Sequence, residues 1–544
     1  MTNSHLTTPV LEPPSIRLPV IWCIGGVDSS GGAGITRDAI TLANLNVHAC
    51  VLTTQLTVQS NQHLLSKESM SASALNQQWQ VLYEDTPPRA IKIGAIANDE
   101  QALLLCARMQ SLVSPRPFVI WDPVLCSSSG GVLSDLSESV INELLTTVDL
   151  VTPNIDELAK LTHLSVNDDK SLQTAINRLV GKGAKSVYVK GGHAQWQKTV
   201  CDTYFCSSHS LYFRQPKNSK GDLRGTGCML ASAIAAFVVH DYCIEDALTL
   251  ANAYVSEVRH NTLGVSDNNL PITTTSSRHK AASPPAYFAR ANGFPAQAAS
   301  FPQVSFHCRN TVSKRNAAGV DKTPHNKKRV ETTLAGNAFF PALTNTKLGI
   351  YPVVDSVEWI ARLWPTGVKI IQLRVKEGSQ YAIRQQIKEA MELVEHTDCQ
   401  LFINDHWELA IELGAYGVHL GQEDLHTADL NAIRSAGLRL GISTHGFAEI
   451  QCVRALNPSY IALGHIFPTN TKDMPSKPQG VERLAKYVKL CEGVPTVAIG
   501  GINLSRISDV AKTGVNGIAV VSAITHAEHP LQAYKALAQE AGFA

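Results

Sequence analysis

The sequence predicts an α/β chain: an N-terminal parallel sheet with flanking helices, then a C-terminal (β/α)8 barrel, joined by a flexible linker. Three observations predict it. Short β-branched runs alternate with helical stretches up to about Gly264. Eight further strand-like runs, again separated by helical stretches, follow from Lys347. Between the two series the periodicity stops. Strand–helix alternation requires crossover connections that cover both faces of a sheet, which makes the strands parallel and buried. The expected boundaries are 18–265 for the first domain, 266–344 for the linker and 345–544 for the second.

In the first domain Val20–Ile24, His48–Thr53, Ala90–Ile93, Phe118–Trp121, Leu150–Thr152 and Ser186–Val189 read as buried strands. Leu136–Leu145 and Ile155–Leu161 show helical spacing between them. From Ser276 to Val330 there are ten Lys/Arg against one Asp, with many Ala, Pro, Ser and Asn. That composition reads as a basic tether and not as a packed element. A basic arm touching RNA is the rival reading, but an excess of nine charges (ten Lys/Arg less one Asp) spread over 55 residues does not carry it.

In the second domain the eight strands fall at Gly349–Val354, Ile370–Leu373, Leu401–Ile403, Gly417–Leu420, Arg439–Ile442, Tyr460–Leu463, Thr496–Ile499 and Gly517–Val521. Helical stretches such as Val357–Leu363, Ala382–Val394 and Ile507–Lys512 separate them. Polar residues cluster just after these runs, where a barrel of this kind builds its active site.

The whole chain has 544 residues, with 47 Lys+Arg against 46 Asp+Glu. A formal charge of +1 argues against a dedicated nucleic-acid binder. The N-terminus lacks the charged start and apolar core of a signal peptide, and no run of about 18 apolar residues predicts a membrane span. The 12 cysteines are scattered without a C-x-x-C pair, so they read as reduced, mostly buried thiols of a cytoplasmic protein. Small-molecule substrates are the expected partners. A homo-oligomer stays open at this level.

The first domain has no G-x-x-x-x-G-K-[ST] sequence, which excludes a Walker-type nucleotide loop. Instead, separated Gly-rich turns follow its strands. Gly25-Gly26-Val27-Asp28-Ser29-Ser30-Gly31-Gly32-Ala33-Gly34 leads from a strand into a helix. Such a turn serves tight packing as often as ligand contact. Arg224-Gly225-Thr226-Gly227-Cys228 opens a second helix, read as Leu230–Val239, and its successive backbone N–H groups suit an anion. A thiol at that helix start is expected to have a lowered pKa. Asp122, Asn154-x-x-Glu157 and Lys190-Gly191-Gly192-His193 follow three other strand ends. Asn and Glu at that spacing can organise hydrated Mg²⁺ near a triphosphate, and a Lys there can neutralise phosphoryl charge.

Taken together, Gly-Val-Asp-Ser-Ser-Gly-Gly-Ala-Gly, Thr-Pro-Asn-Ile-x-Glu, Val-Lys-Gly-Gly-His and Gly-Thr-Gly-Cys resemble the hydroxymethylpyrimidine/phosphomethylpyrimidine kinases of thiamine biosynthesis. The resemblance covers about Leu18 to Leu263, keeps the four motifs in family order and implies a ribokinase-like fold. It implies ATP as co-substrate and Mg²⁺ as cofactor. Gly225, Thr226, Gly227 and Cys228 would form the anion hole, with Cys228 where ribokinases carry an Asp base. Lys190 would bind phosphate, and Asn154 and Glu157 would organise Mg²⁺. Gln59 would read the aminopyrimidine, with Asp38 and Gly26 beside it. Two positions depart from the family. Ala95 replaces its usual Met, which implies a wider pocket, and Gly221-Asp222-Leu223-Arg224 replaces its Asn-Thr-His. Those departures leave two alternatives, a pyridoxal-type kinase and a non-catalytic pyrimidine-binding module.

In the barrel, Gln372-Leu373-Arg374-Val375-Lys376 closes the second strand with two cations near the mouth. Asp405 and Asp424 follow the third and fourth strands, and two carboxylates there suit Mg²⁺. Gly501 and Ser522 follow the seventh and eighth, where barrels often bind phosphate through backbone amides. These segments, with Pro-Thr-x-Thr-Lys and Ala-Ile-Gly-Gly-Ile, closely resemble thiamine-phosphate synthase from about Leu348 onward. The resemblance implies a TIM barrel in which Gln372, Leu373, Arg374, Val375, Lys376, Asn404, Ser443 and Lys472 hold a pyrimidine pyrophosphate. Asp405 and Asp424 would ligate Mg²⁺; Thr469, Asn470, Thr471, Gly501, Val521 and Ser522 would hold a thiazole phosphate. The product implied for the first domain is the substrate implied for the second.

Overall fold

The computed structural model describes residues 18–60, 63–127, 131–217, 223–263, 293–308, 339–469 and 476–543. They form two compact units, one drawn from residues up to 207 and 216–294, the other from 208–215 and 295 onward.

The first unit holds β1 (Val20–Asp28), β2 (His48–Gln59), β3 (Leu64–Ser69), β4 (Ala90–Ile93), β5 (Phe118–Trp121), β6 (Leu150–Val151), β7 (Val187–Val189) and β8 (Val200–Phe205). They lie in the order β8-β7-β6-β5-β4-β1-β2-β3. All six predicted strands are present and parallel to one another. The antiparallel strands β3 and β8 were not legible. An edge strand such as Leu-Leu-Ser-Lys-Glu-Ser is exposed along nearly its whole length, so it carries no apolar alternation. Trp22, Ile24, Leu52, Ile91, Ile93, Val119 and Trp121 centre the core.

Two glycines shape the cavity end of this sheet. Gly34 has φ +64, and a Cβ there would meet the Gly26 carbonyl oxygen at 2.2 Å. Gly225 has φ +79, and a Cβ there would stand 2.1 Å from the Gly32 oxygen. Only glycine admits both the left-handed backbone and the close approach. The helix after Gly225 begins at Thr226, one turn earlier than its apolar run suggests, and runs to Val239.

The second unit closes β11 (Gly349–Val354), β12 (Ile370–Leu373), β13 (Gln400–Asn404), β14 (Gly417–Leu420), β15 (Arg439–Thr444), β16 (Tyr460–Leu463), β17 (Thr496–Ala498) and β18 (Gly517–Val520) into a barrel. Every neighbouring pair is parallel, and β18 returns to β11. Tyr351, Phe402, Tyr460, Val497 and Ala519 fill its interior.

The linker expectation needs correction. Within 266–344, Gln303–Cys308 forms β10, antiparallel to β9 (His209–Gln215). Phe301 stacks on Phe447 at 5.9 Å, and Ser459 donates to the Pro341 carbonyl at 2.6 Å. A six-residue strand and two isolated contacts are too short to register in the averaged composition of a basic, Ala- and Pro-rich stretch. Of the expected linker, residues 266–292 and 309–338 lie outside the described residues. Among the described residues, Cys23, Cys50, Cys106, Cys228 and Cys491 are buried free thiols, Cys243 is exposed, and the other free cysteines are half-buried, so burial is less common than expected. No helix among the described residues is long and apolar enough to cross a membrane.

Candidate active sites

In the first unit a cavity of about 520 Å³ opens at the C-terminal ends of the parallel strands. That is where open α/β sheets bind ligands. The polypeptide brings Gly26, Asp38, Gln59, Asn154, Glu157 and Lys190 to its wall, and Gly225, Gly227 and Cys228 as well. Thr226 instead accepts from Arg259 at 3.2 Å.

Lys190 Nζ donates to Asp122 Oδ1 at 2.7 Å and stands 3.6 Å from Glu157 Oε2. A Cβ on Gly227 would lie 3.4 Å from the same ammonium, so the cation adjoins the helix start. Burial alone would raise the Asp122 carboxyl, but Lys190 and Lys92 outweigh it and hold the group below its ordinary range. Asn154 and Glu157 form a reciprocal capping box, each side chain accepting the other's backbone N–H at 2.8 Å. One oxygen of each is therefore engaged in starting a helix.

One expectation changes here. Burial pushes the Cys228 thiol up to about 11, with Asp38 and Asp122 adding to it and Lys92 opposing. Desolvation outweighs the helix-start amides, so the resting thiol is protonated at neutral pH. Asp38 lines the cavity as expected, with its carboxylate engaged by its neighbours. It accepts from Lys92 Nζ and Ser232 Oγ, both at 2.8 Å, and the Lys92 and Asp38 side chains are at most 1% exposed.

Lys92 is a site residue that the sequence reading missed. Its signal was present: a lysine inside Ala-Ile-Lys-Ile, a strand buried on both faces, requires a buried anion. Arg224 was missed for a different reason. It was read as a departure from a motif, whereas its guanidinium reaches Gln59, Ser30 and Asp28. Ala95 lines the cavity as expected. Gly221 and Asp222 lie outside the described residues.

In the barrel the predicted residues gather at the C-terminal ends of the strands. Asp405 accepts from Asn404 Nδ2 at 2.5 Å, and Asp424 Oδ2 accepts from the Gly421 N–H at 3.1 Å. Burial and the facing Asp424 carboxylate push Asp405 up to about 6, against Arg374 and Asn404. Two carboxylates that repel each other beside an arginine are the donor set a hard divalent cation would relieve.

Gln372 is buried and donates to the Tyr351 hydroxyl at 3.3 Å. Leu373 and Val375 are buried as well, so a ligand at the mouth meets at most their backbone. Arg374 is half-buried and Lys376 exposed. Thr469, Gly501 and Val521 are half-buried, and Ser522 opens the short helix Ser522–Thr525. Asn470, Thr471 and Lys472 lie outside the described residues.

The barrel also contains residues that the sequence reading did not assign. His419 Nδ1 lies 2.7 Å from the Tyr460 hydroxyl, and its Nε2 lies 2.9 Å from Ser443 Oγ. Tyr460 meets Tyr351 at 2.9 Å. Burial, with Arg374 nearby, lowers the His419 pKa to about 3, so the ring is neutral. A polar network thus supports Gln372 and Ser443 from below. The signal was a His and two Tyr inside otherwise apolar strands.

A thiamine monophosphate synthase family model matches residues 344–524, and a phosphomethylpyrimidine kinase model matches residues 28–273. The thiamine-phosphate synthase of Citrobacter koseri is 58% identical over 189 residues, covering 35% of this chain and 89% of that protein. That of Proteus mirabilis is 58% identical over 193 residues, 36% and 89%. Over its barrel, the chain belongs to the thiamine-phosphate synthase family. Its N-terminal part is a phosphomethylpyrimidine kinase domain, which makes the chain a bifunctional enzyme of thiamine biosynthesis. Among solved structures, the phosphomethylpyrimidine kinase of Clostridium difficile 630 is 27% identical, covering 44% of this chain and 99% of that one, with a TM-score of 0.39.

Proposed function

We propose that the first unit uses ATP to phosphorylate 4-amino-5-hydroxymethyl-2-methylpyrimidine to its phosphate and then its pyrophosphate. The barrel would condense that product with 4-methyl-5-(2-phosphoethyl)thiazole to give thiamine phosphate and pyrophosphate. The observation that carries the kinase half is the Lys190 ammonium beside the amides of Gly225–Cys228, in one cavity with Gln59. Cation and oriented N–H groups converge where phosphoryl charge develops, and preorganised donors there stabilise the transition state. Glu157 would position hydrated Mg²⁺ with the carboxylate oxygen that the capping box leaves, and Asn154 with the second lone pair of its Oδ1. Cys228 would contact the reacting hydroxyl as a thiol, so the backbone amides and Lys190 do most of the electrostatic work.

In the barrel, Asp405 and Asp424 would hold Mg²⁺, which neutralises charge on the leaving pyrophosphate when bound. Arg374 and Lys376, with Lys472, would grip the same pyrophosphate. Gln372 and Ser443 would orient the pyrimidine so that its methylene faces the thiazole nitrogen, and loss of the leaving group forms the new C–N bond there. Thr469, Asn470, Thr471, Gly501, Val521 and Ser522 would hold the thiazole phosphate. The nucleophile carries no proton, so no general base is required. A cytoplasmic location fits this use of ATP.

The test is a pair of reactions. Purified protein receives ATP, Mg²⁺, the pyrimidine alcohol and thiazole phosphate in one; the pyrimidine pyrophosphate replaces ATP and the alcohol in the other. Thiamine phosphate is expected in both. Product in the second alone would leave the synthase standing and remove the proposed kinase substrate.

A further inference from the structure

We propose that Arg224 is a positioning residue of the kinase pocket: it fixes the Gln59 amide so that a hydrogen-bond donor, Nε2, is what Gln59 offers the substrate. The inference rests on the kinase reading above. Arg224 immediately precedes the Gly225 turn, and its guanidinium ties three segments together. Nη1 donates to Ser30 Oγ at 3.2 Å and to the Ser60 carbonyl at 2.9 Å. Nη2 donates to Gln59 Oε1 at 3.0 Å and stands 3.1 Å from Asp28 Oδ2.

A guanidinium carries donors only, so the amide atom that it meets is the carbonyl oxygen and not the nitrogen. Ser127 Oγ donates to that same oxygen at 3.3 Å. An amide oxygen has two lone pairs, and these two contacts fill them. Among the described residues, Gln59 Nε2 meets no partner, and Gln59 lines the cavity. The Arg224 side chain is 16% exposed and that of Asp28 2%, so water competes little for the clamp.

It follows that Gln59 presents an N–H and no acceptor. Such a group recognises a ring nitrogen of a heteroaromatic alcohol and not an exocyclic amine. Because Arg224 is continuous with Gly225, the reader of the ring edge and the anion-binding turn share one fixed joint. Substrate placement relative to the phosphoryl group then depends on this guanidinium.

The test uses the full-length chain and measures ADP release dependent on the pyrimidine alcohol in wild type, Arg224→Ala, Arg224→Lys and Gln59→Glu. Arg224→Ala is expected to raise KM for the alcohol about tenfold, with kcat at saturation within about threefold, because the amide is freed to turn and not removed. Gln59→Glu keeps an acceptor for Arg224 and loses the donor, so its KM is expected to rise at least as much. Arg224→Lys falls between. KM for ATP should stay unchanged in all three.

An unchanged alcohol KM in Arg224→Ala, or wild-type binding by Gln59→Glu, would overturn the inference. So would an equal loss for both substrates, which marks general disruption. If Arg224→Ala melts early, Gln59→Glu decides alone. A wild type without alcohol-dependent turnover would overturn the kinase reading and this inference with it.

Discussion

The two units both bury polar side chains near the C-terminal ends of parallel strands, but they hold them in different chemical states. The kinase unit buries charges in pairs, Lys92 with Asp38 and Lys190 with Asp122. Inside the barrel, His419, Tyr460, Tyr351, Gln372 and Ser443 are neutral and linked by hydrogen bonds. The barrel's charges, Arg374, Asp405 and Asp424, sit above that network at the mouth. A phosphoryl-transfer pocket in a sheet must keep cations ready beside a buried surface, and each needs an anion while the site is empty. A closed barrel separates the tasks, with neutral dipoles orienting a ring from below and charge gripping pyrophosphate at the rim.

This comparison breaks most sharply at Lys92. Lys92→Met leaves Asp38 buried without its cation, and the kinase unit should lose about 3–5 kcal/mol in denaturant melts. Pairing it with Asp38→Leu should recover much of that loss; no recovery would show that the pair contributes more than mutual neutralisation. Next is Lys190→Ala, which should lower alcohol-dependent ATP turnover on the order of 10²–10³-fold. Thiamine phosphate formation from supplied pyrimidine pyrophosphate should not change, because that chemistry belongs to the other unit.

Acid should act on the barrel through His419. Its folded pKa of about 3 lies below the ordinary value of 6.5, so the unfolded chain binds the proton more readily. The contribution is fully present above pH 6.5 and is lost progressively as pH falls toward 3. Between pH 7 and pH 5 the barrel should lose about 2 kcal/mol from this group. A His419→Gln variant that shows the same slope would remove His419 as the cause. The smallest effect is Tyr460→Phe, which takes one hydroxyl from both His419 and Tyr351. It should cost about 1–2 kcal/mol in the barrel, with KM for the pyrimidine pyrophosphate rising only modestly.

Much of the architecture was legible because it repeats. Four barrel strands, among them Ile370–Leu373 and Tyr460–Leu463, have the bounds that their apolar runs suggested. Strands β3, β8 and β10 were not: β3 is exposed, Asp202 and Thr203 interrupt the apolar run of β8, and β10 is six residues inside a basic stretch. Site residues followed the same division. Asp405, Asp424 and Lys190 could be named from their places after strands, and Gln59 from the family resemblance. Lys92 carried a signal as a lysine within a buried strand, but its partner Asp38 lies 54 residues away, and Arg224 meets Gln59 across 165 residues.

By itself the sequence determined the two domains, the motif residues and the chemistry they point to, because periodicity and motif spacing are local properties of a chain. Tertiary structure alone decided the charge states. The thiol at a helix start is protonated because desolvation exceeds the helix-start field, and a histidine among tyrosines is neutral because no counterion accompanies it. Burial and partner identity set those states, and both are fixed only when distant segments meet.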